Sequence, residues 1–326
     1  MMFRFSFMLC LVLFSLACPG CAFVNVDMMK PLQPLREKVL EGEGTPKILL
    51  IDVTNFISER EQTGGQFSQE KPSTVAVVKE ALQKAENDRD IVGIVIRINS
   101  PGGTVTASDI IHHEILSFKE RHPIPIYASI VALGASGGYY VATAADRISA
   151  HPTAVTGSIG VLLLRFNLSG LLAKVGVAEE SIKSGDKKDI LSPFRESTAD
   201  EQRIIQEIID SLHTRFTDIV LARPGNRLSK ETLKPLADGR IFTADQALAA
   251  QLIDKIGYLE DDIADMKRQL RIPEARIIRY YRPGSFQSSI YSSVNGTTTP
   301  TVNLVNINAD GIDMLQGTQF LYLWQH

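Results

Sequence analysis

Three long apolar runs, each followed by a stretch with helical spacing, dominate the pattern of hydrophobic and polar positions between residues 47 and 146. The runs are KILLIDV (47–53), IVGIVIRI (91–98) and IPIYASIVA (124–132). Continuous aliphatic runs of this length are typical of strands that are buried on both faces of a sheet. Helical periodicity follows at 74–87, at 104–121 and, more briefly, at 136–146. The alternation predicts βαβ units and an α/β fold with a mostly parallel sheet.

The chain becomes mainly helical after residue 197. TADE (198–201) has the pattern of a helix capping box, and a long periodic stretch follows at 201–221. Further helices are predicted at 243–253 and 259–270. Past residue 282 the composition shifts to Ser, Thr, Asn and Gly, which is typical of a flexible tail, although the chain ends in the apolar FLYLWQH. The apolar FLYLW could dock on a neighbouring subunit, enter a groove as an extended strand, touch a membrane or stay disordered.

These shifts in composition divide the chain into four parts. They are an N-terminal segment (1–22), a polar linker that contains proline (23–46), one domain (47–282) and a C-terminal tail (283–326). No internal repeat of useful length is present, so we expect a single copy of one domain with a helical C-terminal part.

The N-terminal segment has the features of an export signal. Arg4 precedes a thirteen-residue apolar run (5–17), which is too short for an ordinary membrane span. Small residues precede Cys18 and Cys21, and such a cysteine is typical of the lipidation site of a bacterial lipoprotein. The alternatives are a cleaved signal and a short uncleaved anchor. We expect an exported protein, attached to the outer, periplasmic face of a bacterial cytoplasmic membrane by a signal anchor or a lipid.

Composition removes several classes of function. The 326 residues carry a formal net charge of −3, which gives no general reason to expect nucleic-acid binding. All three cysteines lie within the first 21 residues, so the rest of the chain has no disulfide, no thiolate metal site and no catalytic cysteine.

Two glycine-rich turns are the candidates for chemistry. GASGG (134–138) satisfies G-x-S-x-G, the nucleophile-elbow pattern, between a predicted strand and a predicted helix. INSPGG (98–103) ends the preceding strand and leaves backbone amides free to face a ligand. Each turn taken alone is equally compatible with a tight packing turn that binds nothing. Tyr139 and Tyr140, directly after the serine turn, could line a substrate groove or pack inside the domain.

Five motifs together resemble one known family. In order along the chain they are INSPGG, ASGGYY (135–140), TGSIGV (156–161), IKSGDKKDILSPFRE (182–196) and DGRIFTADQA (238–247). The sequence is similar to the protease IV, or signal peptide peptidase A, family of serine peptidases over roughly residues 47–280. This resemblance implies the fold shared by Clp protease and crotonase, a ββα superhelix with a mostly parallel sheet.

The resemblance also implies roles for particular residues. The nucleophile falls on Ser136 and the general base on Lys188. A supporting serine that contacts the lysine falls on Ser158, and the two oxyanion amides fall on Gly103 and Gly137. Lys183 and Lys187 are the fallback candidates for the base. No metal and no cofactor are implied.

A lysine can act as a base near neutral pH only where its surroundings disfavour the charged form. A lysine side chain has a pKa of about 10.4 in water, and burial can lower it by several pH units. We therefore expect Lys188 to turn into an apolar cleft, and Asp186 and Asp189 to point away from it. A histidine triad is the rival arrangement. In an α/β-hydrolase the catalytic histidine comes after the serine and the acid in the chain. His213 and His326 lie far downstream of Ser136, but neither follows a predicted strand, so this arrangement is disfavoured.

The function implied by the resemblance is a membrane-associated serine endopeptidase with a Ser–Lys dyad. Its implied substrates are cleaved signal peptides and other hydrophobic peptides. The single-copy length resembles the short branch of the family, which forms a homo-octamer in which neighbouring chains supply the serine and the lysine of one site. The alternatives are a crotonase-type acyl-CoA enzyme and a catalytically silent scaffold on the same fold.

Overall fold

A computed structural model describes residues 34–61, 72–282 and 319–324. The described strands all join one sheet. They are β1 (Arg36–Glu41), β2 (Lys47–Ile57), β3 (Ile91–Thr104), β4 (Ile126–Ala135), β5 (Arg147–Ala150), β6 (Val155–Gly157), β7 (Leu162–Leu163), β8 (Ile241–Thr243), β9 (Lys255–Ile256), β10 (Arg276–Tyr281) and β11 (Phe320–Leu323).

The helices fall between these strands and in the C-terminal third of the domain. They are α1 (Thr74–Glu86), α2 (Val105–Arg121), α3 (Gly137–Ala142), α4 (Ser169–Lys174), α5 (Ala199–Ala222), α6 (Lys230–Leu233), α7 (Ala244–Ala249) and α8 (Leu259–Leu270), with a 3₁₀ turn at Lys234–Leu236. The predicted capping box is present, because the Thr198 side chain accepts from the Glu201 amide and the Glu201 carboxylate accepts from the Thr198 amide.

The main part of the sheet has the order β1-β10-β2-β3-β4-β5-β9. Every neighbouring pair along this path is parallel except β1 with β10. The predicted α/β class with a mostly parallel sheet is therefore confirmed. The three apolar runs form β2, β3 and β4, and their aliphatic side chains are buried against the helices on both faces.

Strands β3 and β4 change partners along their length, and this change creates the site. The first part of β4 pairs with β5, whereas Leu133–Ala135 pairs with β6. In the same way β3 runs past its pairing with β4 and meets β11 at Gly102–Thr104. The two glycine-rich turns lie in these extensions, beyond the layer of long buried strands.

Two of the predicted boundaries need correction. Within the stretch interpreted as a linker, residues 36–41 form β1, which pairs with β10 and closes one edge of the sheet. Within the stretch interpreted as a flexible tail, residues 320–323 form β11, because their apolar side chains are buried between β3 and β7. The predicted signal and residues 283–318 and 325–326 of the predicted tail lie outside the described residues.

Candidate active site

Ser136 lies at the junction of β4 and α3, and its backbone is held in an unusual conformation. The residue is 1 % exposed and has φ 52° and ψ −115°. A non-glycine residue held in such a region costs on the order of 1–3 kcal/mol, which the surrounding structure must supply. Here the Ser136 amide donates to the Gly157 carbonyl (2.7 Å), and the Ser136 carbonyl accepts from the Tyr140 amide (2.8 Å). Its Oγ forms no hydrogen bond with any residue that the structure describes.

Two backbone amides meet beside this serine because three glycines allow close approach. A Cβ on Gly137 would lie 3.1 Å from the Gly103 nitrogen and 2.4 Å from the Ser108 Oγ. A Cβ on Gly102, whose φ is +107°, would lie 2.8 Å from the Gly137 nitrogen. The Gly103 and Gly137 amides thus lie side by side, in the arrangement that two donors need to bind one oxyanion.

The loop that carries Gly103 is braced from within. The Ser100 hydroxyl donates to the Asn55 carbonyl (2.5 Å) and accepts from the Gly102 amide (3.0 Å). Ser100 and Gly102 are buried, so the loop is fixed before any ligand arrives, as an oxyanion site requires.

The structure places Ser158 directly after β6, the strand whose last residue bonds to Ser136. Ser158 directly follows Gly157, whose carbonyl accepts the Ser136 amide, and is 5 % exposed with φ 51°. Its own amide donates to the Arg240 carbonyl (2.8 Å). The motifs TGSIGV and DGRIFTADQA therefore meet in space, since β6 pairs with β8.

The segment that carries the candidate lysines lies on the surface. Lys188 is exposed, so the expectation that it turns into an apolar cleft is wrong for the single chain. The physical reason is that residues 177–188 contribute no regular element and bury almost none of their side chains. Lys183 pairs with Asp189 (2.6 Å) and Lys187 with Asp200 (2.5 Å). Lys188 has no side-chain hydrogen bond or ion pair with any described residue, so it alone of the three is free.

The segment is nevertheless anchored at one point. The Arg195 guanidinium donates to both carboxylate oxygens of Asp189 (2.8 Å each) and to both of Glu201 (2.6 and 2.9 Å). These contacts lower the pKa of both carboxyl groups, to about 2 for Glu201, where the Thr198 amide also contributes. The residue after Lys188 is thereby tied to the N-terminus of α5.

The histidines offer no alternative base within the described part of the chain. That part contains His112, His113, His122, His151 and His213, and none of them bonds to the Ser136 Oγ. His112 packs against the Tyr140 ring, with centroids 5.3 Å apart, and burial lowers its pKa to about 4. His326 lies outside the described residues.

Sequence reasoning named Tyr139 and Tyr140 beside the serine turn, but it missed Phe216 and the strands that surround them. Tyr140 forms a wall with Phe216 of α5, their ring centroids 5.0 Å apart, whereas Tyr139 is buried and donates to the Leu252 carbonyl. Strand β7 and the terminal strand β11 complete this region. The only signal for β11 was the apolar character of FLYLW, which gives no information about its partner.

The predicted lipidation sites, Cys18 and Cys21, lie outside the described residues. Among the residues that are described, no helix is both long and apolar enough to cross a membrane.

A mostly parallel sheet whose extensions carry a strained serine turn and two neighbouring amides is typical of the Clp protease and crotonase class. The sequence profile of peptidase family S49 matches residues 119–272. The chain is 35 % identical to the Enterococcus faecium protein named "Putative signal peptide peptidase SppA", over 75 % of this chain and 70 % of that one. The chain belongs to peptidase family S49, and it is a peptidase.

Two further relatives support this assignment. One is "Putative protease slr0021" of Synechocystis sp., 43 % identical over 66 % of this chain and 71 % of the relative. The other is "Protease 4" of Haemophilus influenzae, 31 % identical over 69 % of this chain and 35 % of the relative. The chain therefore spans about a third of the length of this last relative.

Proposed function

We propose that the protein is a serine endopeptidase in which Ser136 is the nucleophile. The observation that carries the proposal is the conformation of Ser136, a buried serine with positive φ that directly precedes Gly137 and whose hydroxyl has no hydrogen-bond partner among the described residues. Strain of this kind persists where the surrounding structure imposes it, and it is concentrated at sites of chemistry. A residue that served packing alone would have no need of it.

Lys188 is the general base, and it acts on the serine of a neighbouring chain. Two observations support this arrangement. No described group of the same chain hydrogen bonds to the Ser136 Oγ, and Lys188 is exposed and unpaired while Lys183 and Lys187 are engaged in ion pairs. A second copy that buried Lys188 beside Ser136 would supply both the missing base and the apolar surroundings that a neutral lysine needs.

The surface around the lysine segment is suited to such a contact. Large apolar side chains are exposed there, on and beside α4. They are Phe166, Leu168, Leu171, Val175, Val177, Ile182 and Phe194. Large apolar side chains that are exposed along one segment are typical of a contact between proteins, and in a closed ring of identical chains every copy of this segment would contact a neighbour. The proposed assembly is a homo-octamer.

The reaction proceeds in two steps. Neutral Lys188 accepts the hydroxyl proton of Ser136 while the Oγ forms a bond to the peptide carbonyl carbon, and the Gly103 and Gly137 amides hold the oxygen that becomes negative. The C–N bond then breaks as the lysine ammonium returns the proton to the leaving amine. In the second step Lys188 takes a proton from water, the hydroxide cleaves the Ser136 ester, and the hydroxyl is restored. Ser158 positions the lysine.

The substrates are cleaved signal peptides and other hydrophobic peptides at the outer face of the cytoplasmic membrane. Support comes from the name of the Enterococcus faecium relative and from the export signal in the sequence. A crotonase-type acyl-CoA enzyme would share the fold, but membership of peptidase family S49 favours peptide hydrolysis. A silent scaffold is the remaining alternative.

The test is hydrolysis of a hydrophobic fluorogenic peptide by the wild type and by three variants. We expect Ser136→Ala and Lys188→Ala to lose at least a thousandfold in kcat/KM. Lys187→Ala is the matched control and should retain activity, because its ammonium is engaged with Asp200. Activity in Lys188→Ala would remove this lysine from its role. An inactive wild type that is correctly assembled would favour the scaffold.

A further inference from the structure

Arg165 binds the segment that carries Lys188. It lies two residues after β7 and is half-buried. Its guanidinium donates to the Ser197 hydroxyl, to the Ser192 carbonyl (2.9 Å) and to the Arg195 carbonyl (3.1 Å). All the acceptors that the structure describes for this side chain therefore lie close together, just after Lys188 in the chain. A planar fork of donors that meets several acceptors of one segment holds that segment in a single orientation.

The backbone between this attachment and Lys188 is a run of tight turns. The Lys188 amide donates to the Gly185 carbonyl (3.0 Å), and the Ser192 amide donates to the Asp189 carbonyl (2.9 Å). A third bond of the same kind lies between these two. Because the turns overlap, the residues within them move together. The position of Ser192, which Arg165 binds, therefore sets the position of Lys188.

Arg165 also holds the residue that binds the aspartate next to Lys188. The Arg195 side chain binds Asp189 and Glu201, while the Arg195 carbonyl accepts from Arg165. One arginine thus ties the segment to the N-terminus of α5, and the other ties it to the end of β7. Attachments to two different elements restrict rotation of the segment as well as its displacement.

We propose that Arg165 is a positioning residue for the general base, because it fixes the segment from which Lys188 reaches the serine of a neighbouring chain. A base works only within hydrogen-bond reach of the proton that it accepts, and a displacement of about 1 Å can cost a hundredfold in rate. This inference rests on the proposed function, and it adds a direction. Arg165 serves the active site to which its own chain gives the lysine, and it does not serve the site that contains its own Ser136.

The first test is peptide hydrolysis by full-length single variants. We expect Arg165→Met to lower kcat about tenfold and to change KM less than about twofold, because the substrate is held by the serine half of the site. Arg165→Lys should recover part of the loss, since an ammonium can still donate to a carbonyl. Arg121→Met is the matched control and should keep the wild-type rate, because Arg121 ends α2 and pairs with Glu86. An unchanged kcat in Arg165→Met, or a change in KM alone, would overturn the inference.

Mixed rings separate a positioning role from a general structural one. The reference mixture combines Ser136→Ala chains, which offer the lysine, with Lys188→Ala chains, which offer the serine. Arg165→Met on the lysine-offering chain should lower the restored activity about tenfold, whereas on the serine-offering chain, whose own lysine is already absent, it should have no effect. Equal losses in both mixtures would overturn the inference. An active wild type with no activity in the reference mixture would instead refute the neighbouring-chain part of the proposed function, and the single variants would then decide on Arg165.

Hydrogen exchange reads the attachment without the chemistry. In Arg165→Met rings the amides of residues 188–192 should exchange at least about tenfold faster than in the wild type, whereas those of β2 should not change. Unchanged exchange at 188–192 would overturn the inference. Faster exchange there, together with an absence of hydrolysis by the wild type, would support the attachment and place the failure in the proposed peptidase function.

Discussion

Two inactive variants of this protein should restore each other's activity when their subunits are mixed. The perturbation is to remove the nucleophile from one chain, as Ser136→Ala, and the base from another, as Lys188→Ala. In the single chain the Ser136 Oγ has no described hydrogen-bond partner, and Lys188 is exposed. If neighbouring chains provide the two groups, a Lys188→Ala subunit can offer an intact serine to an intact lysine on a Ser136→Ala subunit.

The size of the effect follows from counting sites in a ring. At equal amounts and random assembly, about half of the sites carry an intact serine, and about half of those face an intact lysine. About a quarter of the wild-type activity should return, against a residual activity at least about a thousandfold below wild type in either variant alone. The measurement is hydrolysis of a hydrophobic fluorogenic peptide after co-expression of the two variants, with the composition of the ring checked by mass spectrometry.

The control mixes Ser136→Ala with the double variant Ser136→Ala/Lys188→Ala. This mixture assembles in the same way but contains no intact serine, so its activity should stay at the level of the single variants. If the two complementary variants form mixed rings and no activity returns, the serine and the lysine belong to the same chain. The reasoning from the exposed position of Lys188 would then be refuted.

Three further predictions follow from the site. In peptide hydrolysis, Gly137→Ala should lower kcat about a hundredfold or more, since its Cβ would lie 2.4 Å from the Ser108 Oγ and would displace an oxyanion amide; an unchanged kcat would contradict this. Arg195→Ala should lower kcat about tenfold while circular dichroism stays unchanged, because it frees the segment of Lys188; Arg195→Lys should recover only part of this, since a lysine cannot bind the carboxylates bidentately. Burial lowers the pKa of His112 in the folded chain from 6.5 to about 4. As the pH falls from 6.5 to 4, the unfolded chain is therefore protonated at His112 before the folded chain is. The free energy of unfolding should decrease over this range, by about 3 kcal/mol at pH 4. Urea unfolding of the wild type and His112→Gln at pH 7 and pH 4 checks this, and a variant with the same pH dependence as the wild type would contradict it.

The central part of the fold could be predicted because it is built from local patterns. The runs that became β2, β3 and β4 are long, apolar and rich in branched residues, and the helices that follow the first two begin at the capping side chains Ser73 and Thr104. The α5 capping box could be read from four letters, because it depends only on groups within one turn.

The short strands could not be predicted in this way. Strands β6, β7 and β9 have two or three residues each, and they exist because distant segments pair with them. Strand β11 is an extreme case, since its partners precede it by more than 150 positions. Nothing within FLYLW itself distinguishes a strand in a cleft from an apolar chain end.

The candidate site shows the same contrast between features set by local sequence and features set by contacts between distant segments. The serine turn and the glycine amides are properties of the chain's own loops, and the sequence motifs located them. The surroundings of Lys188 depend on what covers an exposed segment, and the wall of Tyr140 and Phe216 depends on how α5 packs against α3. Neither can be read from residues that are close together in sequence.

Strand β11 closes two edges of the sheet with the last residues that the structure describes. It covers one edge of β3 and one edge of β7, each of which would otherwise present unpaired backbone groups. A chain that was cut before residue 320 would therefore expose two strand edges, and such edges can pair with another extended segment.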